Sequence, residues 1–97
     1  MRLVEKLKDE NPGGRCYAAE ELGHIGDVSA IPYLIELLED DHQEVRSSVA
    51  RALGEIGHQS ALTALLKSLS DPVGSVRVWV VYAIEQIGVS NQDVIQG

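Results

Sequence analysis

Between residues 30 and 39 the apolar side chains Ile31, Leu34, Ile35 and Leu38 fall three and four apart, which places them on one face of a helix. Ser29 stands ahead of them at an N-cap position. Pro32 sits in the first turn, where the N–H it lacks would have no intrahelical acceptor. Asp40-Asp41-His42-Gln43 interrupts the pattern. It resumes over 44 to 56 with Val45, Val49, Ala52, Leu53 and Ile56 on one face, and Gly57 supplies the left-handed residue that ends many helices. The stretch therefore predicts a helical hairpin, a helix A over 30–39 and a helix B over 44–56.

The same pattern returns further along the chain. Ser60 takes the cap position before Leu62, Leu65, Leu66 and Leu69; Asp71-Pro72-Val73-Gly74 makes the turn; Val76, Val80, Ala83, Ile84 and Ile87 follow, then Gly88 as the expected stop. The first hairpin is shorter. Met1 falls inside its helix A, which leaves no capping turn, and Pro12-Gly13-Gly14 weakens the start of its helix B, since glycine costs about 1 kcal/mol against alanine there. Leu-Gly-His-Ile-Gly at 22–26, Leu-Gly-Glu-Ile-Gly at 53–57 and Ile-Glu-Gln-Ile-Gly at 84–88 recur every 31 residues. Asp9, Asp40 and Asp71 keep the same register, as do Arg15, Arg46 and Arg77. A fixed period of this length marks stacked copies of one unit, none able to bury its apolar face alone. Short turns make neighbouring helices antiparallel, and no stretch alternates as a strand would. The expectation is one all-α domain over 1–97, a short right-handed α-solenoid of three helix pairs. Its repeats fall at about 1–26, 27–57 and 58–88, and 89–97 is a tail or the start of a further helix capped by Ser90 or Asn91.

Composition narrows the function classes. A formal charge of -7, with the eight cations scattered, is unlike a nucleic-acid surface, which needs clustered Lys and Arg. No apolar run approaches the length that crosses a bilayer. The single Cys16 fits a reducing compartment, and the charged start lacks the apolar core of a secretion signal, so a cytoplasmic location is expected.

With helix A closing on Asp, a Val-Arg step opening helix B, and Leu-Gly-x-Ile-Gly ending it, the chain resembles the HEAT-like repeats of the phycobilisome-lyase type over roughly residues 3 to 88. Three positions depart from the pattern: Glu85 replaces the penultimate Gly, Gly14 replaces the Val before the first Arg, and Val81 replaces the small Ala at 19 and 50. The resemblance implies a stacked ladder in which each Arg (15, 46, 77) bridges the carboxylates of its own and the adjacent repeat, drawn from Asp9, Asp40 and Asp71. It also implies that the B helices line a concave surface. The family spans bilin lyase subunits, phycobilisome-degradation factors and many scaffolds.

At 100° per residue, positions 44, 48, 51 and 55 lie opposite the core of helix B. The resulting stripes are Gly13, Tyr17, Glu20 and His24, then Glu44, Ser48, Arg51 and Glu55, then Ser75, Trp79, Tyr82 and Gln86. Three of the four aromatics stand there, and amphipathic rings on a surface are anchors for a partner. The plainer alternative is that Trp79 and Tyr82 cover the end of the core. His24, His42 and His58 occupy different repeat positions and lack the His-Glu dipeptides of HEAT-like metal hydroxylases, so no metal or other cofactor is implied. Cys16 has no base at a readable spacing. The expected function is a non-enzymatic scaffold that binds a protein or peptide on its concave face; the alternative is a bilin-lyase or phycobilisome-associated component. Unstacked ends also predict a homodimer as one outlet for exposed apolar edges.

Overall fold

Amphipathic segments this short gain their stability by packing rather than by helix propensity, and the arrangement reflects that. The computed structural model describes residues 2–91. Among them are six α-helices, α1 (Leu3–Lys6), α2 (Pro12–Ile25), α3 (Ile31–Glu36), α4 (Gln43–Ile56), α5 (Leu62–Lys67) and α6 (Gly74–Ser90), and no strand. They pair as α1–α2, α3–α4 and α5–α6, an A helix and a B helix each. The B helices form one layer, with α4 packed between α2 and α6.

The A helices are shorter than expected because 3-10 turns flank them. Val28–Ala30 and Leu37–Glu39 bracket α3, and Gln59–Ala61 and Ser68–Ser70 bracket α5. This moves the caps. The Asp27 carboxylate accepts the Ser29 N–H at 3.0 Å, and a ring nitrogen of His58 accepts the Ser60 N–H at 3.1 Å. Ser29 and Ser60 are thus inside the tight turn and are not the caps; a side chain two residues earlier does that work. Gly26 and Gly57 end α2 and α4 in the left-handed conformation, at φ of 76° and 70°. Gly88 does not end α6. The helix continues to Ser90, and the Asn91 side chain donates to the Ile87 carbonyl at 2.8 Å at the end of α6. Residues 92–97 of the expected tail lie outside the described residues.

The core is aliphatic throughout. Leu22, Leu34, Leu53, Leu65, Val45, Val49, Val76, Val80 and Ile87 are buried, and no buried residue is polar or charged among those described. Two glycines set the spacing of the B layer. A Cβ on Gly23 would come within 2.8 Å of the Ala52 Cα, and one on Gly54 within 2.7 Å of the Ala83 Cα. Neighbouring B helices therefore approach backbone to backbone at Gly23 against Ala52 and at Gly54 against Ala83. Gly14 has a different reason. Its Cβ would strike the Asp9 carboxylate, which folds back over the start of α2, so valine, the residue of the other two repeats, does not fit there.

Candidate protein-binding site

The face is held in place by the ladder of Arg and Asp beneath the turns. Arg15 donates through Nε and Nη2 to the Asp40 carboxylate at 2.8 and 3.1 Å, and through Nη1 to the Asp9 carbonyl at 2.6 Å. Arg46 repeats this with the Asp71 carboxylate at 2.7 and 3.2 Å and the Asp40 carbonyl at 2.7 Å. Each fork thus joins two repeats, which suits the planar geometry of guanidinium. The expected acceptor needs one correction. The aspartate of the same repeat contributes its backbone oxygen, not its carboxylate. The Asp40 and Asp71 carboxylates face the arginine of the preceding repeat instead, and one oxygen of each aspartate also accepts the N–H two residues on, Asn11 for Asp9, His42 for Asp40 and Val73 for Asp71, each at 2.9 Å.

Burial pushes the Asp40 carboxyl up, but the hydrogen bonds from Arg15 and the His42 N–H, with the Arg15 charge, outweigh it and hold the group below its ordinary value. Asp71 is lowered in the same way, against its burial, by Arg46 and the Val73 N–H. Arg77 keeps the 2.7 Å bond to the Asp71 carbonyl, yet among the described residues its Nε and Nη2 meet no carboxylate.

Above this frame the stripe residues form two groups. In the first, the Ser48 hydroxyl donates to Glu20 at 3.2 Å across α2 and α4, while the Lys6 ammonium stands 5.8 Å from the centre of the Tyr17 ring. The second runs across α2, α4 and α6. His24 faces Glu55 at 3.9 Å, Glu55 faces Arg51 at 3.5 Å, and the Arg51 guanidinium covers the Trp79 ring at 5.2 Å. Trp79 meets Tyr82 edge to face, with centroids 5.3 Å apart and planes at 83°. Tyr82 also lies over Gly54, whose missing side chain leaves room for the ring.

The three aromatics of the stripes are therefore not one cluster. Trp79 and Tyr82 stand together, half-buried, and Tyr17 stands apart with more than half its surface exposed. Trp79 packs partly on the core and partly faces outward, so anchoring and covering are both in its geometry. Gln86 is half-buried, and Glu44 is exposed at the start of α4. Sequence reasoning missed Lys6 beside Tyr17 and the covering of Trp79 by Arg51. The second was within reach, because Arg51 and Trp79 are 28 residues apart, three short of the period, which places them across adjacent B helices.

Among the described residues no group of three or more His, Cys, Asp or Glu could hold a metal ion. Cys16 is half-buried, unpaired, and packed against the core. No described helix is long and apolar enough to cross a membrane.

A comparison with curated proteins returns no match. Among solved structures, human deoxyhypusine hydroxylase in complex with glycerol is similar, with a TM-score of 0.86 and 29% identity over 95% of this chain. The chain spans 33% of that enzyme's length. Residues 1–88 match the family described as HEAT repeats. The 31-residue period, the hairpin stack and the Arg–Asp ladder agree with that match: the chain belongs to the HEAT-repeat family.

Proposed function

We propose that this chain is a non-enzymatic scaffold whose B-helix face binds a protein or peptide segment. The observation that carries the reading is the group of Arg51, Trp79 and Tyr82. It joins two B helices and offers rings that remain partly open to solvent. Rings in such a setting bury large area at little rotamer cost, and a guanidinium stacked on one adds a fixed donor fork. Glu55 touches the group at Arg51, and Glu20 and Glu44 stand on the same B-helix stripes, which favours a partner segment carrying Lys or Arg and an on-rate that falls as salt rises. Selection from a displayed peptide library, followed by amide chemical-shift mapping of the best binder, tests this. Shifts centred on Ser48, Arg51, Trp79 and Tyr82 support the reading; shifts confined to α3 and α5 overturn it.

A second reading rests on the Leu-Gly-x-Ile-Gly closures at 22–26 and 53–57, which favour the phycobilisome-lyase branch of HEAT-like repeats and a role beside bilin chemistry. Titration with a linear tetrapyrrole separates the two. A red-shifted bound spectrum favours the bilin role, and an unchanged spectrum leaves the scaffold.

A further inference from the structure

The side of each B helix that meets the next repeat is built from small residues in the two interior cases: Cys16, Ala19 and Gly23 on α2, then Ser47, Ala50 and Gly54 on α4. The equivalent stripe on α6 reads Val78, Val81 and Glu85. Val78 is 66% exposed and Val81 45%, and Arg77 beside them has two donor nitrogens without a carboxylate among the described residues. On the neighbouring α5 and the 3-10 turn that follows it, Leu66 and Leu69 are 50% and 39% exposed, although Leu38, which matches Leu69 in register, is buried.

This outer face does not suit a head-to-tail copy. In the interior, Gly23 and Gly54 meet Ala52 and Ala83 at backbone contact, and no side chain fits between them. A copy stacked in that register would bring Glu85 against Glu21 of the other molecule, adding bulk and like charge at the tightest point.

Turned about a two-fold axis, the same face is complementary to itself. We propose that the chain pairs with a second copy through this face, α6 antiparallel to α6 of the other molecule and centred on Val81. Arg77 and Glu85 lie four residues to either side of Val81, about 6 Å each along the axis. Antiparallel pairing therefore sets Arg77 of each copy level with Glu85 of the other, in two equal ion pairs. Parallel pairing would set arginine against arginine and glutamate against glutamate, so the charges choose the direction. The axis lies across α6 in the plane of the face, so each A helix meets its own counterpart, and Leu66 and Leu69 are covered with the valines. A self-complementary patch of this kind closes at two subunits. The B-helix faces of the two copies then lie side by side, which doubles the surface offered to a partner.

Sedimentation equilibrium of the full chain over a wide concentration range is the test. The expected result is a concentration-dependent mass that approaches twice the 10.5 kDa of the chain. Val81→Arg places two cations at the axis and should weaken dimerisation at least about tenfold while leaving the melting curve unchanged at dilutions where the wild type is monomeric. Glu85→Arg and Arg77→Glu should each weaken self-association, whereas a mixture of the two variants should form a heterodimer in preference to either homodimer. A monomer mass throughout, an undiminished Val81→Arg dimer, or no preference in the mixture would each overturn the proposal.

Discussion

Removing the Arg46 side chain severs the middle of the ladder, and the structure sets the scale of the loss. Arg46 makes two hydrogen bonds to the Asp71 carboxylate and one to the Asp40 carbonyl, with its side chain 12% exposed and that of Asp71 6%. Arg46→Ala leaves the Asp71 carboxylate shielded from water with only the Val73 N–H as a partner. Breaking a well-buried pair from one side costs about 3–5 kcal/mol, and this pair sits at the margin of the core, so about 2–4 kcal/mol is expected. Arg77 is the internal control. It makes the same bond to its own repeat at 2.7 Å but none across repeats, so Arg77→Ala should cost only about 0.5–1 kcal/mol. Urea unfolding followed by circular dichroism, at the lowest usable protein concentration to keep self-association out of the comparison, reads both values. Arg15→Ala should fall with Arg46→Ala, because its fork joins the first and second repeats in the same way. Equal losses for Arg46→Ala and Arg77→Ala would refute the reasoning, since the inter-repeat carboxylate would then contribute nothing.

Two further outcomes follow from the same contacts. Gly54→Ala should destabilise by about 1–3 kcal/mol, because its Cβ has to displace the backbone of α6, whereas Gly88→Ala, helical and with open space around it among the described residues, should stabilise by about 0.5–1 kcal/mol; thermal melts of both variants check the opposed signs. The folded-state acidities of Asp40 and Asp71 are held below the unfolded value of about 3.9, so the ladder's contribution is complete above about pH 4 and is lost as the pH falls through the folded values. The stability gap between the wild type and Arg46→Ala should therefore stay constant from about pH 7 to pH 5 and narrow below about pH 4, and a gap unchanged down to about pH 2 contradicts the assignment.

The sequence carried the fold because periodicity is a property of many residues at once. The 31-residue register placed the helix pairs, and the start and end of α4 fall within one residue of the expected bounds. What it carried less well depends on single contacts. Ser29 and Ser60 look like caps, but the chain enters each A helix through a 3-10 turn, and Asp27 and His58, two residues earlier, accept the N–H groups of Ser29 and Ser60 themselves. Gly88 looks like a stop by analogy with Gly26 and Gly57. A glycine only permits the left-handed conformation, however, and Gly88 stays helical within α6. The Arg–Asp pairs were legible as pairs, yet the choice between carboxylate and carbonyl was not, because it depends on where the turn points each oxygen: Asp40 and Asp71 turn their carboxylates to the arginine of the preceding repeat and their carbonyls to their own. Of the proposed binding face, the stripe assignment followed from 100° per residue, while the stacking of Arg51 on Trp79 needed the spacing between helices.

On the proposed reading, Trp79 and Tyr82 belong to a binding surface and do not serve only as the cover of the third repeat. Measuring the affinity of a library-selected basic peptide for the wild type, Trp79→Ala and Tyr82→Ala, each beside its own melting curve, tests it directly. Loss of binding by about 2 kcal/mol or more, with the fold still cooperative and melting near the wild type, is the predicted result. If Trp79→Ala instead unfolds the chain while binding per folded molecule is unchanged, the tryptophan is core at the end of the array and the binding face lies elsewhere.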